Sequence, residues 1–261
     1  MAGIDLLLSE HLLLVLIIVG CASLVHGLLG IGFPLLSTPL IALCSDVRTA
    51  MLVLLVPTIT INIASMIRGG RWRESIGRYW PLAAYVALGS IVGTRLLITT
   101  PPAPYKLLMA VVLLIYLNVH RMGGRMGWVH HRPRIAMMLF GLLAGVLAGT
   151  VNAAVPALII YALELPLPTN AMIQIFNLCF LSGKLSQAAT FGAAGVFTGE
   201  VVRLTLPLAA YVLVGLFAGM AIRRRFDTRT YRRWLRRVLF VIAIMLMVQF
   251  GIGLWGPSGI D

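Results

Sequence analysis

A single lysine, Lys184, lies deep within an apolar segment that covers residues 169–191. A lysine inside a bilayer is costly unless its ammonium group faces a cavity or a partner. With about 100° between successive helical residues, Asn177 projects within about 20° of Lys184, and Gln174 and Gln187 flank the pair. This stripe combines one positive charge with hydrogen-bonding amides, a chemistry suited to holding an anion. The alternative is a lysine that extends to the outer lipid headgroups.

Two glycine- and proline-rich runs interrupt apolar segments, HGLLGIGFP at residues 26–34 and GTVNAAVP at residues 149–156. A broken helix leaves N–H groups unpaired and places a positive dipole end at the start of the next helix, which favours an anion. A further polar stripe, Thr58, Asn62 and Ser65, follows one face of the segment 48–67. The predicted substrate-binding residues are His26, Gly27, Gly30, Gly32, Pro34, Asn62, Asn152, Pro156, Asn177 and Lys184.

Several of these residues have a structural alternative. A histidine in the setting of His26 is more often a packed, hydrogen-bonded neutral side chain than a ligand. Asn152 and Asn177 could instead brace neighbouring helices. The sequence shows no pair of acids within apolar segments, no H-E-x-x-H motif and no serine–histidine pair at a common depth. It therefore predicts no catalytic residue, no metal site and no cofactor, and the protein is not expected to be an enzyme.

The elements that position these groups follow from the composition. Of the 261 residues, 60% are hydrophobic and 11% are charged, and the mean hydropathy is +0.97. A soluble domain would carry about 25% charged residues. Long apolar runs such as VLFVIAIMLMVQF are suited to helices that cross the hydrocarbon core. These features predict an all-α, polytopic membrane bundle. Three scattered cysteines are expected to act as small core residues.

The apolar segments delimit the predicted helices. They cover residues 11–28, 33–44, 48–67, 78–99, 105–120, 135–150, 151–165, 169–191, 201–222 and 234–255. The segment 33–44 is about 18 Å long as a helix and cannot span a bilayer alone. Because it carries Pro34 and Pro39 and follows the first glycine-rich run, we expect a broken or re-entrant element there. Pairs of glycines four residues apart, such as Gly89 and Gly93, predict close helix contacts.

The basic residues are concentrated in three loops, near residues 68–78, 121–134 and 223–237. By the positive-inside rule these loops are cytoplasmic, so the net charge of +13 reflects topology and contact with anionic headgroups. Nucleic-acid binding is not expected, because no polar domain presents the arginines. The N-terminus is acidic at Asp5 and Glu10 and does not resemble a secretory signal. We expect a multi-pass protein of the bacterial inner membrane with both termini on the non-cytoplasmic side.

The phrase PLAAYV occurs twice, at residues 81–86 and 207–212. The first copy is preceded by a basic loop, whereas the second is followed by one, so the two copies are expected to cross in opposite directions. The sequence therefore predicts two inverted repeats of about five helical segments each, or of three crossings each if the Gly/Pro elements are re-entrant. Residues 1–120 form the first repeat, 121–134 a cytoplasmic basic linker, and 135–261 the second repeat. Inverted repeats with matching helix breaks are typical of secondary transporters.

The run Gly27-Leu-Leu-Gly30-Ile-Gly32-Phe-Pro34 resembles the early signature of the sulfite exporter TauE/SafE family, and Asn152-Ala-Ala-Val-Pro156 is a weaker second copy. The resemblance covers nearly the whole chain. It implies transport of sulfite, sulfonates or related organosulfur anions at a midplane site between the repeats. The departures are Phe33 within the glycine run and the loss of glycines in the second copy. An anion channel on the same scaffold, a carrier of small carboxylates and a homodimer are left open.

Overall fold

The computed structural model describes residues 11–70, 72–122, 127–165, 168–223 and 228–255. All regular elements within these ranges are helices, which confirms the predicted all-α fold. The first six are α1 (Leu12–Leu29), α2 (Phe33–Cys44), α3 (Val47–Val53), α4 (Leu55–Gly69), α5 (Trp72–Thr99) and α6 (Ala103–Met122). The next six are α7 (Gly127–His131), α8 (Pro133–Val151), α9 (Val155–Leu163), α10 (Thr169–Ala193), α11 (Gly199–Ile222) and α12 (Thr228–Trp255).

Five described helices have the length and apolar composition of a membrane span. They lie at Leu12–Leu29, Gly77–Thr99, Pro133–Val151, Gly199–Ile222 and Leu235–Ile252. The pair α3 and α4 forms a sixth candidate if it counts as one span bent by 50°. The protein is therefore a multi-pass integral membrane protein. The sequence predicts one continuous segment over 48–67, whereas the structure divides it at Leu54.

Both predicted interruptions are present as breaks between helices. The first break ends α1 at Gly30, with φ +80°, and Gly32, with φ +115°, precedes α2. A left-handed backbone of this kind favours glycine. The second break ends α8 at Asn152, which has φ 59°. Pro34 and Pro156 lie in the first turns of α2 and α9, where a missing N–H costs no hydrogen bond.

Small residues let two helix pairs approach closely, as their spacing predicted. Gly89 lies against Gly145 and Gly93 against Gly149, so α5 and α8 run in the same direction. A Cβ atom added at Gly89 would lie 2.9 Å from the backbone nitrogen of Val146. The pair α1 and α11 is likewise parallel, because Gly20 lies against Tyr211 and Gly27 against Gly219. Each repeated PLAAYV helix therefore packs on a helix that ends at one of the two breaks.

The bundle brings several helix ends together on one side. The C-terminal ends of α1, α4 and α11 meet the N-terminal part of α10. Helix α10 runs parallel to α5, since Ser182 donates to the carbonyl of Ala83 and Gln187 donates to Thr94 farther along. Helix α5 begins next to the end of α4 and carries its chain to the opposite side of the bundle. The inverted relation of the two halves, and the repeat boundaries at 120 and 135, stay predictions.

Candidate functional site

A cavity of about 1000 Å³ opens where these helix ends meet. Its walls come from α1, α4, the start of α10 and the end of α11, so it reaches the first helix break. The lining residues are Gly27, Gly30, Ser65, Arg68, Gly69, Pro168, Asn170, Ile173, Gln174, Asn177, Phe217, Met220, Ala221 and Arg223. The cavity thus joins residues more than 190 positions apart in the sequence into one concave surface.

The cavity is electropositive. Arg68 and Arg223 lie on its wall, and the lining described above contains no aspartate or glutamate. The Arg68 guanidinium lies 4.8 Å from the centre of the Phe217 ring, and its Nη1 lies 3.7 Å from the sulfur of Met220. This cation–π contact holds the charge against the wall. The first turn of the 25-residue helix α10 also faces the cavity at Asn170, and its unpaired N–H groups add positive potential.

His26 lies behind the cavity wall rather than on it. Its side chain is 0% exposed, and its Nε2 lies 3.0 Å from the Ser65 hydroxyl oxygen. The backbone N–H of Phe33, at the start of α2, donates to His26 Nδ1 at 3.4 Å. His26 therefore links the first helix break to α4, and Ser65 is the group of this pair that reaches the cavity.

The amide groups of α10 attach its first turns to the ends of α1 and α4. Asn177 Nδ2 donates to the carbonyl oxygens of Gly30, at 3.2 Å, and Ile173, at 2.9 Å. Gln174 Nε2 donates to the carbonyl oxygen of Gly70 at 3.0 Å. Asn177 Oδ1 is buried and has no hydrogen-bond partner among the described residues. The Nδ2 group of Asn177 thus attaches α10 to the end of α1, whereas its Oδ1 is a buried acceptor without a described partner.

Asn62 is the second unsatisfied amide. It lies almost one turn before Ser65 on α4, is 0% exposed, and has no described partner for either Nδ2 or Oδ1. Nearly all buried polar groups of native proteins are hydrogen-bonded, to protein or to a bound molecule. An amide with both ends unused is therefore a candidate ligand contact below the cavity surface.

Lys184 forms a second polar cluster outside this cavity. Its side chain is 3% exposed and lies within the protein, where Nζ donates to Gln187 Oε1. Gln187 Nε2 in turn lies 3.4 Å from Thr94 Oγ1 on α5 and 3.3 Å from the carbonyl oxygen of Gly149 at the end of α8. The cluster therefore joins α10, α5 and the second helix break, two turns of α10 beyond Asn177.

A hydrogen bond of 2.7 Å joins Asn152 Nδ2, at the second break, to Thr38 Oγ1 of α2. Because α2 begins directly after the first break, the two interruptions are connected. Gly32, Pro34 and Pro156 are buried and set the helix starts, and none of the three lines the cavity. Of the ten predicted site residues, the structure places Gly27, Gly30 and Asn177 on the cavity wall.

The sequence assigns Arg68 and Arg223 only to topology. It places Gln174 in the polar stripe beside Asn177 but not among the substrate-binding residues. The long arginine side chains near helix ends are compatible with headgroup contact, and their direction is set by tertiary packing. Ser65 was noted as part of a polar stripe but not as a ligand. Ser65 lies three residues after Asn62, so the two share a face of the helix. This spacing could have identified Ser65 as a further ligand.

Comparison with known proteins places these features in a family. The family model described as sulfite exporter TauE/SafE matches residues 15–246, which is nearly the whole chain. No curated protein and no solved structure matches the chain. The matched region contains both helix breaks, the cavity and the Lys184 cluster. The chain therefore belongs to the sulfite exporter TauE/SafE family of membrane transporters.

Proposed function

We propose that this protein is a secondary transporter that moves small anions, such as sulfite, sulfonates or related organosulfur compounds, by alternating access. The observation that carries the proposal is the cavity of about 1000 Å³, which has two arginines on its wall and reaches a broken helix. Two arginines, with no acidic group among the described lining residues, repel cations and attract anions. Family membership supports the same class of cargo.

The proposed path begins at Arg68 and Arg223 and leads to the first break. There Ser65, the Gly30 backbone and Asn177 surround the substrate. Lys184 is proposed as the next positive group, because it lies two turns farther along the same helix than Asn177 and is buried within the protein. Its partner Gln187 can release the ammonium group only by giving up one hydrogen bond, which an anion would replace.

We further propose that the halves 1–120 and 135–261 are inverted repeats. Three packing relations support this. The first PLAAYV helix, α5, packs on α8 of the second half, and the second, α11, packs on α1 of the first half. Both pairs are internally parallel. Helix α10 runs parallel to α5, and its start meets the end of α1. The pair α5–α8 and the pair α1–α11 therefore point in opposite directions. Inverted halves supply two related conformations, open to opposite sides.

The membrane orientation follows from charge. The cavity opens at the ends of α4 and α11, which adjoin two of the three arginine-rich loops. We propose that this side faces the cytoplasm and that the protein resides in a bacterial inner membrane. In this conformation an anion from the cytoplasm would have access to the site.

Transport by reconstituted protein tests the proposal. Proteoliposomes loaded with sulfite or an organosulfonate should accumulate the labelled anion by counterflow, and the flux should saturate with concentration. Lys184→Met should reduce the flux at least tenfold without reducing expression. Lys106→Met is the matched control, because Lys106 also donates to a glutamine, Gln249 at 3.0 Å, but does not line the cavity.

Unchanged flux in Lys184→Met would remove Lys184 from the pathway. Single-channel currents without counterflow would instead identify an anion channel on the same scaffold. Carboxylate flux that exceeds sulfur oxyanion flux would change the cargo class and leave the carrier mechanism in place.

A further inference from the structure

The unused hydrogen-bond donors and acceptors at the deep end of the cavity restrict which anions can bind there. We propose that the site recognises an anion that both accepts and donates hydrogen bonds, that is, a singly protonated oxyanion such as hydrogensulfite rather than its fully deprotonated form. The inference rests on the proposed anion transport. It depends on three buried groups whose donor and acceptor roles are fixed by their partners: His26, Ser65 and Asn177.

The first step is the protonation of His26. A backbone N–H can only donate, so the N–H of Phe33 requires an unprotonated Nδ1 on His26. The ring hydrogen is therefore on Nε2. It is donated to Ser65 Oγ over 3.0 Å. His26 acts as a positioning residue that fixes the role of the serine.

The second step concerns Ser65. Since its oxygen accepts from His26, its own hydrogen is available for donation. No described residue accepts a hydrogen bond from the Ser65 hydroxyl, and Ser65 lies on the cavity wall. Ser65 consequently offers a donor to a ligand oxygen.

The third step concerns Asn177. Its amide orientation is fixed, because the group that faces the carbonyls of Gly30 and Ile173 must be the NH₂. Both hydrogens of that group are used, and Oδ1 is left as a buried acceptor without a described partner. Asn177 consequently needs a donor from the ligand. Asn62, almost one turn before Ser65 on α4, offers an unused donor and an unused acceptor at the same end.

A fully deprotonated oxyanion presents acceptors only, and would satisfy Ser65 but leave Asn177 Oδ1 unpaired. A singly protonated oxyanion satisfies both. The charged or titratable groups around the site are Arg68 on α4, Arg223 after α11, His26 on α1 and, two turns farther along α10, Lys184. Among the described lining residues there is no carboxylate that could provide the missing proton instead.

Ligand binding to the purified full-length protein tests the inference. The decisive pair is hydrogensulfite and methanesulfonate, which carry the same single charge but differ in the O–H donor. Hydrogensulfite should bind about tenfold tighter or more, because methanesulfonate leaves a buried acceptor unpaired. Raising the pH through the second ionisation of sulfite should weaken binding of total sulfite. Methanesulfonate keeps its charge over that range and reports any titration of the protein itself.

Two variants separate the roles. Asn177→Ala should lower the affinity for hydrogensulfite to that for methanesulfonate, whereas Ser65→Ala should weaken both ligands by a similar factor. If Asn177→Ala does not fold, the comparison of the two ligands on the wild-type protein still decides the matter. Equal affinities for the pair, tighter binding of methanesulfonate, or tighter binding of sulfate dianion would overturn the inference. Failure of all these anions to bind or move would instead refute the proposed function.

Discussion

Arg48 closes the side of the bundle opposite the cavity, and its removal is the most informative perturbation. The residue lies in the first turn of α3, whose N-terminus is capped by Asp46. Its Nη2 donates to the carbonyl oxygens of Leu97 at 2.7 Å, Ile98 at 3.0 Å and Thr100 at 3.1 Å. The first two carbonyls lie in the last turn of α5, where carbonyls have no helical partner, and the third belongs to the residue directly after the helix. One guanidinium thus clamps α3 to the end of α5.

The effect of Arg48→Ala can be estimated from these contacts. A hydrogen bond to a charged group contributes about 1.5–3 kcal/mol when buried, and less when exposed. Arg48 is half-buried, so about 1 kcal/mol for each of three carbonyls, or about 3 kcal/mol in total, is a suitable estimate. If the contacts exist only while the far side is closed, their loss favours the far-open conformation about 100-fold, since about 1.4 kcal/mol corresponds to a factor of ten.

A cysteine at position 94 reports this change. Thr94 is 0% exposed and lies on α5 beside the Lys184 cluster. In a background without the three native cysteines, a membrane-impermeant thiol reagent applied from the far side should modify Thr94→Cys slowly. Adding Arg48→Ala should raise the rate about 100-fold. Arg48→Lys should have a smaller effect, because a lysine cannot reach several carbonyls with a rigid fork.

Arg95 provides the matched control. It is an exposed arginine on α5, next to position 94, and its guanidinium makes no hydrogen bond, ion pair or ring contact with the described residues. Arg95→Ala should leave the labelling rate unchanged. Equal rates in Arg48→Ala and the parent protein would refute the clamp, and an equal increase in Arg95→Ala would show that loss of surface charge, rather than the hydrogen bonds, is responsible.

Three further perturbations test packing, backbone and topology. Gly27→Ala adds a Cβ that clashes with the Leu216 carbonyl oxygen of α11 and lies 2.9 Å from the Cα of Gly219, so it should destabilise the fold by about 1–3 kcal/mol in thermal unfolding. Gly192→Ala, with no atom within 4 Å, should be neutral. Asn152→Gly loses the bond to α2 but retains the left-handed backbone, so it should cost about 1 kcal/mol less than Asn152→Ala in the same measurement. Cysteines at Thr100 and Arg223 should react with impermeant reagents from opposite sides of the membrane, and labelling from one side would exclude the inverted arrangement.

The helices could be predicted from the sequence because a long apolar run has few alternatives in a bilayer. The short segment 33–44 was predicted with the bounds that α2 has. The bend at Leu54 was missed, although Pro57 could have indicated it. A proline has no N–H to donate to the carbonyl four residues earlier, here Val53, and the helix breaks at that point.

The candidate site was predicted less completely than the fold. The helix breaks were found because glycine and proline act on the local backbone, and Gly30 lies on the cavity wall as a result. The role of Arg68 depends on Phe217, which is distant in sequence, so no local pattern could assign it. The division of His26 and Ser65 into a positioning residue and a donor depends on hydrogen-bond directions that only the folded chain defines.

The two faces of the bundle differ in how firmly they can close, and this difference bears on transport. If the PLAAYV helices correspond, the end of α5 corresponds to the end of α11. At a separate offset, 121 residues against 126 for PLAAYV, the segment TAM after Arg48 resembles NAM at residues 170–172, which puts Thr169 in the position of Arg48. A threonine carries no guanidinium, so the sequence of the second half has no counterpart of Arg48 at this position, and the neighbouring residues Pro168 and Asn170 line the cavity. Opening the far face must break the Arg48 clamp. The cargo can drive this step only if it binds the far-open form more tightly than the form described here, by a free energy comparable to that of the Arg48 hydrogen bonds.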